Sequence, residues 1–144
     1  MVSLDLAAAP GWKFPGGEFT IDAAENERLC RLVGADPSSD GSAHPLYAFI
    51  AAQRGMGVTV GEFLLLLGTP PEDGPMLASC RLEYAAPLLV DRPYRVQGGI
   101  IDLVRKEGAR MGPFDLVTFE LEVLDGADVV TRCRNAFVLP RGRR

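Results

Sequence analysis

The sequence predicts an α+β domain, with one long buried helix wrapped by a curved antiparallel sheet. Three observations carry this. The stretch from Ala43 to about Gly68 is apolar nearly all round, so as a helix it must be buried. From Met76 to Pro140 the chain reads as four strands split by Gly and Pro. The length, 144 residues, suits one domain with one core.

In order along the chain, residues 1–17 form an irregular lead-in, ending in Pro10, Gly11, Pro15, Gly16 and Gly17. The domain proper runs over 18–140, and the basic residues 141–144 form a solvated tail. Glu18–Ile21 reads as a short strand. Asp22 is placed to cap a helix over Ala23–Val33, with Glu25 in the capping-box position and Gly34 as the stop. That helix turns Ala23, Leu29 and Leu32, or a similar set, inward. Residues 36–42 are dense in turn formers. Pro45 suits the first turn of the next helix, where its missing N–H costs nothing. Arg54-Gly55-Met56-Gly57 interrupts that helix, Val58–Leu67 resumes it, and Gly68-Thr69-Pro70-Pro71 ends it.

The strands follow as Met76–Tyr84, Tyr94–Lys106, Phe114–Leu124 and Val129–Leu139. In the third, Val117, Phe119, Leu121 and Val123 alternate with Thr118, Glu120 and Glu122, which marks a sheet with one covered face. Asp125-Gly126 signals a hairpin. Gly98-Gly99 inside a strand signals a bulge or a close backbone approach, such as a subunit contact.

Composition narrows the function classes. Hydrophobic residues make up 47% and charged residues 24%, an ordinary globular balance rather than a disordered one. A net charge of −4 argues against a nucleic-acid surface. The longest apolar run, Phe63–Leu67, is too short to cross a membrane, and Met1–Pro10 lacks the pattern of a signal peptide. Cys30, Cys80 and Cys133 are odd in number and far apart, which speaks for small apolar fillers in a reducing cytoplasm rather than a disulfide or zinc site. No pattern asks for a metal or a cofactor.

Three segments carry a resemblance. They are Phe19-Thr20-Ile21-Asp22 leading into a short helix, Ala43-His44-Pro45-Leu46-Tyr47-Ala48-Phe49 opening the central helix, and Leu82–Tyr94 with its proline and Val90-Asp91-Arg92-Pro93 turn. In order and spacing, over about Phe19 to Pro140, the chain resembles the MaoC-like hot-dog superfamily of hydroxyacyl-thioester dehydratases and enoyl-thioester hydratases. It is most similar to the non-catalytic subunit of heterodimeric 3-hydroxyacyl-carrier-protein dehydratases. The resemblance implies a hot-dog fold, an acyl-CoA or acyl-carrier-protein substrate, and a dimer. That dimer is either a homodimer or a heterodimer with a second hot-dog subunit carrying the acid–base pair. Two departures matter. The family's turn has a glycine where Val90–Pro93 has none. Its G-D-x-N-P-x-H loop is not intact either, since Asp40 and His44 are one residue too close and the Asn-Pro between them is missing. The better alignment deletes that loop, which predicts a weak or absent dyad.

Dehydration of a 3-hydroxyacyl thioester needs a base beside the carbonyl, an acid on the leaving hydroxyl and donors for the enolate oxygen. Backbone amides at the start of the buried helix, over Ser42–Tyr47, are natural donors for that oxygen. His44, the only histidine, is the candidate proton carrier, with Asp40 to orient it. The plainer reading makes His44 a helix cap and Asp40 a turn former. Ser42, Ala43 and Tyr47 are placed to line a substrate site, and Arg54 and Gly55 to admit an acyl chain or pantetheine arm at the helix break. Tyr47 reads equally as core, and the break as a C-cap with a turn. Glu62 is the candidate carboxylate for the alternative of a hot-dog thioesterase, against a plain solvated or ion-paired role. Arg81, Arg92, Arg95, Arg105, Lys106 and Arg110 offer cations for a phosphate or an acidic carrier, or simply solvate the surface.

Overall fold

The computed structural model describes residues 3–142. The first two residues and Arg143-Arg144 of the predicted tail lie outside the described range. Five strands form one antiparallel sheet: β1 (Gly17–Thr20), β2 (Met76–Tyr84), β3 (Pro93–Gly108), β4 (Gly112–Asp125) and β5 (Asp128–Pro140). They lie in the order β1-β3-β4-β5-β2, so β1 and β2 are the edges. The predicted alternation in β4 holds, with Val117, Phe119, Leu121 and Val123 fully buried. An offset between Ile100 and Asp102 bulges β3 next to Gly98-Gly99. A side chain at Gly98 would collide with the Glu120 carbonyl, and one at Gly99 with that of Trp12. The close approach is therefore internal to the chain.

Three helices accompany the sheet, α1 (Ala23–Leu32), α2 (Tyr47–Gly55) and α3 (Val60–Leu66), and α2 lies across all five strands. The apolar stretch is two short helices whose axes differ by 59°, broken at the predicted glycines. Alone, no helix among the described residues is long and apolar enough to cross a membrane. The central helix α2 has nine residues and begins at Tyr47, later than the Ala43–Pro45 start read from the sequence. The cause is the preceding backbone, which is held extended. Ser42 bridges to Leu89, and the Ala43 amide donates to the Leu88 carbonyl at 2.7 Å.

The alanines of α2 let it lie close on the sheet, burying Tyr47, Ala48, Ala51 and Ala52. Phe63 of α3 completes an aromatic cluster with Phe14, Phe119 and Phe137, ring centres 4.8, 5.0 and 6.4 Å away. Ala9 and Phe14 belong to this core, so the lead-in packs against the sheet. Residue Arg141 departs from the solvated tail as read. Its guanidinium donates to Asp115 at 2.8 Å and to the Leu67 carbonyl at 2.7 Å, tying the end of β5 to the end of α3. Helix α1 corrects the expected face: Asn26 and Cys30 are buried, whereas Leu32 is 84% exposed. Capping by Asp22 is as expected, its carboxylate accepting from the Glu25 amide at 2.9 Å.

Candidate functional site

The start of α2 lies against the end of β2. Between them opens a groove of about 490 Å³, bounded by Ala43, His44 and Pro45 on one side and by Tyr84 and the turn Ala85–Leu88 on the other. The walls are apolar apart from His44 and Tyr84. Tyr84 fixes the geometry by donating its hydroxyl to the Pro45 carbonyl at 2.8 Å. Burial pushes its phenol above the ordinary value, so it stays a donor at neutral pH.

At the helix start, every amide from Ser42 to Phe49 is already bonded. The Ser42 amide donates to Asp40 Oδ1 at 2.9 Å, and that of Ala43 goes to Leu88. His44 donates its amide to Asn26 Oδ1 at 2.8 Å, and Leu46 donates to His44 Nδ1 at 3.1 Å. The amides of Tyr47, Ala48 and Phe49 close tight turns onto the carbonyls of His44, Pro45 and Leu46 at 2.9, 3.1 and 2.9 Å. Pro45 has no N–H at all. The orphan donors expected at this helix start are therefore absent. His44 supplies the cap that no conventional capping residue provides, and the tight first turn uses the rest.

Asp40 and His44 do not come together. The Asp40 carboxylate is bound by the Ser38 hydroxyl and the Ser42 amide, which lower its pKa to about 2. Its role is that of the turn former. Accepting at Nδ1 puts the proton of a neutral His44 ring on Nε2. His44 is half-buried at the groove, where it is the imidazole available to a ligand.

The other candidates disperse. Tyr47 is 1% exposed, and burial, with the charge of Glu25, raises its phenol. Arg54 binds Glu25 at 2.6 Å and lies over the Phe19 ring. Gly55 packs against Val96. At the start of α3, Glu62 lies in the cap formed with Thr59: its amide donates to Thr59 Oγ1 at 3.0 Å, and its carboxylate accepts from the same hydroxyl at 3.1 Å. Ion pairs engage Arg81, Arg92 and Arg105 with Glu83, Asp125 and Asp115. Cys133 is buried next to Cys80, and desolvation pushes its thiol up to about 12, too high for a nucleophile at neutral pH. Two residues of the site escaped sequence reasoning. Asn26 offered no signal, because it reaches His44 from another helix. Tyr84 lay inside the resembling segment but was not read as a groove residue.

No protein-family model matches this chain, and no curated protein matches it. Solved structures do. A HadBC (3R-hydroxyacyl-ACP dehydratase) complex from Mycobacterium tuberculosis is similar at 16% identity, TM-score 0.65, over 88% of this chain and 93% of that one. A MaoC-like dehydratase from Rhodospirillum rubrum is similar at 16% identity, TM-score 0.64, over 95% and 97%. A gentisyl-coenzyme A thioesterase, BH1999, is similar at 16% identity, TM-score 0.54, over 85% of each chain. These likenesses establish the fold. The chain has the hot-dog fold, the architecture that MaoC-like dehydratases and thioesterases share, and the fold does not choose between their reactions.

Proposed function

We propose that this chain is the non-catalytic, acyl-binding subunit of a MaoC-like dehydratase or hydratase. Its substrate is a 3-hydroxyacyl or enoyl thioester of coenzyme A or a carrier protein, and it pairs with a second hot-dog subunit that supplies the acid–base residues. One observation carries the reading: the amides from Ser42 to Phe49 are all spoken for, and Asp40 is bound away from His44. A helix start with no free oxyanion donors and no oriented base lacks what the reaction needs at that place. It keeps what binding needs, an apolar groove with a few polar groups at its mouth.

The partner is argued from the edge of the sheet. Strand β2 has a free edge, with Met76 52% and Leu77 50% exposed beside it. A bare apolar edge favours pairing with another sheet. In such a pair this chain contributes one wall of the acyl groove and the partner the proton transfers. The thioesterase alternative loses ground, because Glu62 serves the α3 cap and lies away from the His44 groove.

The test mixes the purified chain with a hot-dog subunit bearing an intact Asp–His pair and follows hydration of crotonyl-CoA by loss of enoyl absorbance. Turnover should exceed that of the partner alone, and His44→Ala in this chain should leave it in place. An assembly that loses its turnover with His44→Ala would place the chemistry here and contradict the reading.

A further inference from the structure

The outer face of the sheet, turned away from the core, is divided in two. Strand register shows the division, because side chains at opposed positions share a face. One half is charged. Glu120 lies opposite Arg134 and Glu122 opposite Arg132, and their ion pairs close at 3.1 and 3.0 Å. That half satisfies its own charges. The other half is apolar: Val104, Leu116, Val138 and Met76 are cross-strand partners in one row over β3, β4, β5 and β2. The next positions, Val117 and Phe137, face the core, so the row faces outward. Val104 and Met76 are exposed, and Leu116 and Val138 half-buried.

The rows flanking this one are complementary to each other. Two positions away on one side lie Asp102, Thr118 and Ala136, and on the other side Lys106, Phe114 and Pro140. One flank is acidic and small, the other basic and large. Asp102 and Lys106 sit on β3 on either side of Val104, and among the described residues neither enters an ion pair. The Asp102 carboxylate accepts from the neighbouring Leu103 amide at 2.9 Å. A two-fold axis laid along the apolar row turns each flank onto the other. Each residue of the row then meets its own copy, and Asp102 faces Lys106 of the second copy. Thr118 and Ala136 face the larger Phe114 and Pro140.

We propose that this face binds a second copy of the chain, sheet to sheet, about that axis. The axis reverses the strand directions and keeps them aligned, as face-to-face sheets require. Small residues against large ones, and opposite charges at the margin, make the face complementary to itself. The contact uses the outer face and leaves the β2 edge free. Two copies, each paired through β2 with its catalytic subunit, would thus join back to back. The inference does not depend on what the groove at the start of α2 binds. Four strands and three rows span roughly 14 Å in each direction between Cα positions. That is a modest contact, so the association depends on concentration.

The experiment is analytical ultracentrifugation of the full chain over a concentration series, for wild type, Asp102→Lys and Lys106→Asp. Wild type should associate reversibly to twice its starting mass. Each variant sets two like-charged pairs across the axis and should raise Kd about tenfold. Mixed in equal amounts, the two variants again oppose unlike charges, and the wild-type affinity should return. Misfolding does not produce that recovery, and neither does pairing through the β2 edge, whose residues are unchanged. A wild type that stays monomeric at every concentration, an affinity that neither variant lowers, or a mixture no tighter than its components overturns the proposal. Any of these leaves the outer face to solvent or to a different protein.

Discussion

Tyr84 and Asn26 hold the groove, and neither does so by local rules. Tyr84 reaches Pro45 across 39 positions, and Asn26 reaches His44 across 18. No periodicity reveals contacts of that kind, whereas a capping His44 and a turn-forming Asp40 were legible because they act on neighbours two residues away. Replacing Tyr84 by Phe should cost about 1 kcal/mol and lower Tm by a few degrees in a thermal melt. Asp115 is a second case. Burial alone would raise its pKa, but hydrogen bonds from Arg105 and Arg141 outweigh it and hold it below the ordinary value of 3.8. A depressed folded pKa contributes stability above the unfolded value and loses it as pH falls through the folded one. Stability measured by denaturant should therefore drop below about pH 4. In Asp115→Asn that drop should flatten, and stability at neutral pH should fall by about 3 kcal/mol as two arginines lose their carboxylate.

The strands were read to within two residues at their ends, because alternation repeats over many positions and Gly-Pro punctuation bounds it. Helix α2 was harder. Its apolar stretch looks continuous in sequence, yet a bonded loop delays its start and close packing fixes its end. Gly55 illustrates the second cause, since a methyl group there would land on Val96, with Phe19 also in contact. Helix propensity alone predicts that Gly55→Ala stabilises by up to about 1 kcal/mol. Packing reverses the sign, and the variant should lose about 1–3 kcal/mol in equilibrium unfolding. A gain in stability would show that β3 yields and that contact with the sheet does not set the helix end.

The hot-dog architecture was legible as an assembly of patterns: one apolar segment, four strands, and three resembling stretches in order. The site was legible only in outline, because the sequence marks the start of α2 but not how its amides are used. That use is what separates a groove that binds an acyl thioester from one that transforms it. The fold leaves a bare β2 edge beside the groove, and in the proposed assembly a partner subunit both covers it and brings the missing groups. The most direct test gives the isolated chain crotonyl-CoA and measures hydration against a protein-free blank. The account predicts no turnover above the blank, in wild type and His44→Ala alike. Hydration by the isolated chain that disappears in His44→Ala would contradict it.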